Sequence, residues 1–346
     1  MNKSRKIKFN SFLITALLLF SLQSSLYAQD IHFSQFNASP LNLNPALTGG
    51  FDGDLRLIGN HKRQWLTFTN AYRTFSVSAD ARLNQLQLYR SNISVGLLFN
   101  NDVAGDANFS TNQIKLAASY NYMLSRDSAL NASVGINAGF NQHNINYNLL
   151  TFGSQFNGNQ FDPNLTSGET FTNDNVNYFD VSAGLGLSYI FNPKFAANTG
   201  FSFNHINKPN QSFSDLSDIG LYQKYTIHGG LDWRFTRDLT LYPSAIYQYQ
   251  GKLTELNLGA LLKMNIDNIS FHAIYFGGWM RAKDAGIVEI RFDYRMFNIG
   301  ISYDINYSDL NVASNGRGGL EISIIYIYKK HRELRLPYYK RCPVYM

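Results

Sequence analysis

The chain has 346 residues, of which 45% are hydrophobic, 15% aromatic and only 16% charged. Soluble domains carry about 25% charge, so this composition argues against an ordinary soluble globular fold. The formal charge of +6 is concentrated at the start: Lys3, Arg5, Lys6 and Lys8 precede any acidic residue, and the rest of the chain is nearly neutral. That balance excludes the basic face a nucleic-acid binder needs, and the lone Cys342 excludes an intrachain disulfide.

Residues 1–28 read as a cleavable secretory leader. A basic stretch precedes the apolar run Phe12 to Leu22, and Ser24-Ser25-Leu26-Tyr27-Ala28 ends on a small residue. The apolar run is shorter than the roughly 20 residues of a membrane-spanning helix. Cleavage is expected after Ala28; an uncleaved anchor is the alternative. Residues 29–53, with Pro40, Pro45, Gly49 and Gly50, lack strand alternation. They are expected to form an irregular segment, either periplasmic or plugging a barrel built from the later residues.

From residue 54 to 328 the dominant signal has a period of two, which puts alternate side chains on opposite faces of a sheet. In 129–141, Leu130, Ala132, Val134, Ile136, Ala138 and Phe140 share one face, while Asn131, Ser133, Gly135, Asn137 and Gly139 share the other. The same pattern recurs in 179–191 and 297–307. These runs outlast soluble strands, with their mode of about 5–6 residues. They suit tilted membrane strands of about 9–11 residues. About fourteen such strands are expected, an even number as in bacterial outer-membrane barrels. They fall near 55–65, 72–82, 92–100, 111–123, 129–141, 178–191, 195–205, 222–235, 239–250, 253–265, 269–281, 285–294, 297–306 and 318–328. Short connections such as Asn192-Pro193-Lys194 and Thr236-Arg237-Asp238 alternate with the long ones, 142–177, 206–221 and 307–317, as periplasmic turns alternate with outer loops. Aromatic pairs sit near strand ends, at Tyr120 and Tyr122, Trp233 and Phe235, Tyr247 and Tyr249, and Tyr326 and Tyr328. Amphipathic rings prefer that interfacial depth. A soluble β-sandwich would need turns every 8–12 residues or so, and many of these runs are longer. The fold expected is therefore all-β, a transmembrane antiparallel barrel of about 14 strands contacting outer-membrane lipid, with both termini on the periplasmic side. Residues 329–346 form a tail with six basic residues and one acid, Glu333; it is expected to be a basic periplasmic end.

No catalytic constellation emerges. Lys224, His228, Asp232 and Arg234 share one face of a strand, but barrel interiors are normally polar, so a wet lumen wall accounts for the row. Arg56, His61, Lys62 and Arg63 in the first strand suit a lumen wall or rim. His32, His143, His205, His272 and His331 are scattered without the spacing of metal-ligand pairs. Neither a Gly-x-Ser-x-Gly elbow nor a phosphate loop is present. The chain is expected not to be an enzyme and to use no cofactor or metal.

The opening, Gln29-Asp30-Ile31-His32-Phe33-Ser34-Gln35-Phe36, runs on through Pro40-Leu41-Asn42-Leu43-Asn44-Pro45-Ala46-Leu47-Thr48-Gly49. Together with Arg56 and His61-Lys62-Arg63-Gln64-Trp65, it resembles the PorP/SprF family of type IX secretion membrane proteins. The likeness returns at Ser302-Tyr303-Asp304, at Gly319 to Ile324 and in a tail bearing Cys342-Pro343. The family tail often closes Cys-Pro-Arg-Phe, whereas this chain closes Cys342-Pro343-Val344-Tyr345-Met346. The resemblance implies an outer-membrane accessory of type IX secretion that helps export or surface-attach a cargo. Its implied partners are components of that machinery and a large secreted surface protein, typically a gliding adhesin. It carries over no catalytic residues. Asn44, Pro45, Ala46, Cys342 and Pro343 stand out as partner-contact or structural positions; because proline fixes φ, Asn44-Pro45-Ala46 also serves simply to turn the chain into the first strand. The alternative function is an outer-membrane transport barrel for a small solute.

Overall fold

A computed structural model describes residues 30–64, 72–83, 90–125, 127, 129–168, 173–213, 219–308 and 311–330. The strands follow in chain order as β1 (Leu55–Gln64), β2 (Tyr72–Arg82), β3 (Ser91–Ala104), β4 (Phe109–Met123), β5 (Leu130–Asn144), β6 (Asn175–Asn192) and β7 (Phe195–Asn204). They continue as β8 (Lys224–Arg234), β9 (Leu239–Gln250), β10 (Leu253–Asn265), β11 (Phe271–Arg281), β12 (Ala285–Tyr294), β13 (Phe297–Asn306) and β14 (Arg317–Tyr328). Each pairs antiparallel with its chain neighbours, and β1 pairs with β14 from Leu55↔Tyr328 to Gln64↔Gly319. This is a closed fourteen-stranded barrel, as the alternation and connections predict. Closure leaves no edge, so the strand backbone is hydrogen-bonded within the wall; that is the condition for strands to lie in hydrocarbon. Among the described residues no helix is long and apolar enough to cross a membrane.

The wall separates two environments as the pattern requires. On β5, Val134, Ile136 and Phe140 point outward and are exposed, while Asn137 and Asn141 point inward and are buried. On β14, Leu320, Ile324 and Tyr328 are exposed, and Glu321 and Ser323 are fully buried. Aromatic rings gather near both rims. Trp233 and Phe235, 4.4 Å apart, mark one rim, and the stacked Tyr225 and Tyr249, 6.3 Å apart, mark the other.

The strands differ from expectation in height. β3, β4, β5 and β6 continue several residues past their apolar stretches, β6 reaching 18 residues where β1 has 10. The added positions pair Asn101 with Asn112 and Asn144 with Asn175. Polar residues there face water rather than lipid, so the ladder continues where hydrophobic alternation has stopped. The loop expected at 142–177 is shortened accordingly, to 145–174.

The second difference concerns the ends. β14 finishes at Tyr328 beside Leu55, at the rim carrying the short turns. Asp30, the first described residue, instead lies beside His205, Lys224 and Gln250 at the long-loop rim. Asp30 and Tyr328 therefore lie at opposite rims, because residues 30–53 descend through the lumen before entering β1; the two chain termini themselves lie outside the described residues. The expected cleavage site after Ala28 lies outside the described residues, as does most of the basic tail. Of that tail, Lys329 pairs with Asp52 at 2.8 Å on the exposed rim.

Placing a charge on the outward face should be costly at mid-height only. Ile136→Arg should cost ~2–4 kcal/mol and Gln142→Arg, on the same face above the apolar band, about 0–1 kcal/mol. Heat-modifiable migration after urea titration of folded protein in vesicles reads the difference; equal losses would place the band wrongly.

Candidate functional site: a polar thread in the barrel lumen

Residues 30–53 run as short turns rather than a regular element. A 3-10 turn spans Phe36–Ala38, one α-helical turn Pro40–Leu43, and a second 3-10 turn Pro45–Leu47. Prolines at the first helical positions cost nothing there, since those N–H groups have no helical partner. Such short pieces leave many backbone groups unpaired, and side chains of the barrel wall supply their partners.

At the long-loop rim the Asp30 carboxylate is 2.6 Å from His205 Nε2 and 3.8 Å from Lys224 Nζ. His205 Nδ1 is 2.9 Å from Asp180, which also accepts from Lys115 Nζ at 2.7 Å. This chain of charges ties the thread to β4, β6 and β8. Burial by itself would lower the His205 pKa. The Asp30 charge and hydrogen bonds to Asp180 and Asp30 outweigh it and raise the value to about 9. Burial would likewise raise the Asp30 carboxyl, but the charges of His205 and Lys224 hold it well below the usual carboxylate range.

Lower in the lumen, Glu321 accepts the backbone N–H groups of Ser34 and Gln35 at 2.7 and 3.0 Å. Ser34 Oγ donates to Asp304 at 2.8 Å, and Arg281 clamps the same carboxylate at 2.7 Å. Lys62 Nζ donates to Ser34 Oγ at 3.2 Å. Hydrogen bonds involving charged groups are worth roughly 1.5–3 kcal/mol each, so this cluster holds the thread firmly as long as it stays intact. Apolar packing secures the thread at two places: Phe36 meets Trp279 edge-on at 5.2 Å, within a cluster that includes Leu43, Ile246, Leu261 and Ile287, and Leu41 packs on Leu98 and Ala117.

Asn44, Pro45 and Ala46 occupy a notch in the opposite wall. Asn44 is fully buried. Its Oδ1 accepts from Ala46 N at 2.9 Å, shaping the turn. Its Nδ2 donates to the Leu185 carbonyl at 2.9 Å and lies 3.0 Å from His228 Nε2. Two glycines make the notch. A Cβ on Gly184 would stand 1.9 Å from Asn44 Oδ1, and one on Gly135 would stand 2.4 Å from the Pro45 carbonyl carbon. Only a residue without a side chain permits that approach. Near the short-turn rim, Gly49 N donates to Asp80 at 2.7 Å, and Arg56 grips Asp80 at 2.9 and 2.7 Å. Arg82 donates to the carbonyls of Gly49 and Phe51, and Arg56 lies over the Phe51 ring at 4.6 Å.

The structure thus brings Asn44, Pro45 and Ala46 together with His228, one member of the polar row on β8. Lys224 is also buried in the lumen, whereas Asp232 and Arg234 are exposed toward the short-turn rim. Arg56 and Lys62 face inward, while His61 and Arg63 face outward. Cys342 and Pro343 lie outside the described residues. Sequence reasoning does not single out the charge chain of Asp30, Asp180, His205 and Lys115; each is unremarkable in its own strand or loop and gains meaning only from the path of the thread. No cluster of three or more metal-ligating side chains occurs among the described residues. The gaps left around Asp30, His32 and Asn42 have volumes of about 10, 20 and 30 Å³. A water needs about 10–15 Å³, so these gaps take one to a few waters and no solute.

The type IX secretion system membrane protein PorP/SprF family matches residues 25–326. The chain belongs to that family. The match spans the thread and the barrel together. No curated protein matches. Among solved structures, the barrel resembles the toluene transporter TodX of Pseudomonas putida, with TM-score 0.51 and 13% identity over 83% of this chain and 92% of that one. It also resembles the CymD monoaromatic hydrocarbon channel, with TM-score 0.50 and 12% identity over 85% of this chain and 94% of that one. At such identities the likeness concerns the fold.

The thread of this PorP/SprF barrel can be tested in two ways. Deleting residues 30–50 should raise single-channel conductance in planar bilayers several-fold over the intact protein, and Gly184→Val should do so partially by evicting Asn44; unchanged conductance in both would mean the lumen is blocked otherwise. The rim contact should also respond to pH. A raised folded-state pKa means that protonated His205 stabilises the contact fully below the unfolded value near 6.5, and that this stabilisation is lost as pH rises through about 9. A spin label at Asn37→Cys, in a Cys342→Ser background, should gain mobility over that window, and His205→Gln should abolish the transition.

Proposed function

We propose that this barrel is an outer-membrane accessory of type IX secretion that helps export or surface-attach a large secreted protein such as an adhesin. In this reading it works with its lumen closed, through contacts at its two ends. Family membership gives the system; the observation that carries the closed-barrel reading is the thread, bonded to the wall along its length, with water-sized gaps around Asp30, His32 and Asn42. A solute pore would leave a continuous opening; about fourteen strands sit between filled small barrels and open porins, so strand number favours neither and the thread supports the closed reading.

The short-turn rim is then periplasmic and faces the machinery. We assign the basic tail, residues 329–346, to that contact: its Lys and Arg residues suit an acidic partner surface, and such complementarity acts mainly on association rate and specificity. Ala28 is the expected end of the leader that delivers the chain, and Cys342-Pro343 belongs to the same contact region. Transport of a small solute is the competing reading, and it requires the thread to leave the lumen.

Deleting the gene should remove one large protein from the cell surface while general type IX export continues. Truncation after Lys330 should weaken co-purification with machinery components at low salt, with the gap to the intact protein closing as salt rises, since exposed charges are screened within about 8–10 Å at physiological ionic strength. An unchanged surface proteome in the deletion strain would overturn the secretion role and favour the transport reading.

A further inference from the structure

The tall side of the wall carries a groove that has no part in holding the thread. It lies at the long-loop rim, where the β3–β4 turn meets the first and last residues of the loop between β5 and β6. Backbone bonds fix its three edges: Asn146 N donates to the Ala107 carbonyl at 2.9 Å, and Ile145 N donates to the Asp174 carbonyl at 2.9 Å. The 3-10 turn Tyr147–Leu149 is capped by Asn146, whose Oδ1 accepts from Asn148 N at 3.1 Å. The groove has a volume of about 570 Å³, inside the roughly 300–1,000 Å³ typical of small-ligand sites.

Its lining is chemically narrow. Five asparagines contribute, Asn108, Asn146 and Asn148 among the exposed ones, with Tyr147, Ile145 and a single charged side chain, Asp174. A carboxamide offers one acceptor and two donors at fixed angles, which matches hydroxyl groups that both donate and accept. Tyr147 supplies an aromatic face with a polar tip, the kind of surface on which the C–H face of a sugar ring rests. Among the described residues no Lys or Arg lines the groove. A phosphate or carboxylate ligand would find no countercharge, and Asp174 would repel it. Asn144 and Asn175 already donate to Ser110 and Asp174, and the Asn146 oxygen caps its own turn; a hydrocarbon ligand would strip water from the remaining amide atoms, those of Asn108 and Asn148 included, without replacing their hydrogen bonds, a cost of about 1–3 kcal/mol per unsatisfied group.

We propose that this groove binds neutral sugar chains at the outer surface, whether as free polysaccharide or as the glycan of a lipid. Planar amides take the hydroxyls, Tyr147 stacks on a ring, and Asp174 excludes acidic glycans. The site is independent of the secretion reading, since neither the thread nor the short-turn rim takes part.

The test uses full-length protein in detergent and a set of neutral gluco-, manno- and galacto-hexaoses, with oligogalacturonate as the acidic counterpart. Binding is read by saturation-transfer NMR and titration. At least one neutral hexaose should bind with a Kd of about 1 mM or tighter, and oligogalacturonate should not bind. Asn148→Ala and Tyr147→Ala should each weaken binding about tenfold while leaving heat-modifiable migration unchanged, as both side chains lie outside the strands. Competition by vesicles bearing neutral O-chains, but not by vesicles of the same lipid lacking them, would assign the lipid-borne source; competition by free polysaccharide alone would assign the soluble one. Absence of binding by every neutral hexaose, equal binding by both variants, or binding of the acidic oligomer alone would overturn the proposal.

Discussion

Everything in this protein depends on one constraint: backbone N–H and C=O groups at bilayer depth must find partners within the protein. The β1–β14 pairing meets it by closing the sheet, running without a break from Leu55↔Tyr328 to Gln64↔Gly319. Closure creates an outer face that must be apolar and an inner face that need not be. The alternation of Val134, Ile136 and Phe140 with Asn137 and Asn141 follows directly. The same constraint governs the lumenal thread. Its turns cannot satisfy their own backbone, so the wall does it for them, through Glu321 at Ser34 and Gln35, Ser202 at the Leu43 carbonyl, Ser119 at the Thr48 carbonyl and Asp80 at Gly49.

The thread is held differently from a hydrophobic core. Phe36, Leu43 and Leu47 pack on Trp279 and its neighbours, and Leu41 on Leu98 and Ala117; the other contacts described above involve polar or charged groups. Water can replace such contacts when they part, so separating thread and wall costs less than exposing an equal apolar area. Removing one partner of a buried charge pair is another matter, costing about 3–5 kcal/mol because the remaining charge is stranded. The arrangement is thus firm in its assembled form and sensitive to loss of any single member, Asp80, Asp304 or Glu321 in particular.

The two rims are unequal. The short-turn rim is compact, finished by Arg56, Arg82, Asp80 and the exposed Asp52–Lys329 pair. The long-loop rim is raised on one side by the extended β3 to β6 and carries the start of the thread, the charge chain from Asp30 to Lys115 and an amide-lined groove. Under the proposed closed-lumen reading, unlike ends suit different partners on each side of the membrane without passage through the barrel.

Much of this was legible in the sequence because it is local. A period of two fixes which side chains share a face, run length separates membrane strands from soluble ones, and alternation with connection lengths gives the strand count. Glu321 within Gly319 to Ile324 could be placed in the lumen on parity alone. The opening residues through Gly49 also carried the family likeness, and Asn44-Pro45-Ala46 stood out within it. Strand heights were legible only as far as the apolar alternation; the paired polar rungs Asn101–Asn112 and Asn144–Asn175 carry no such signal. Contacts of long sequence separation were decided by the tertiary structure alone. Asp30 meets His205 across 175 positions and Ser34 meets Glu321 across 287. No local pattern encodes them, because a segment of short turns has no periodicity and takes its course from the wall around it. That Gly184 and Gly135 are hollows for Asn44 and Pro45, rather than small residues on a wet wall, and that Asp30 lies at the rim opposite the end of β14, are consequences of a closed cylinder enclosing residues 30–53.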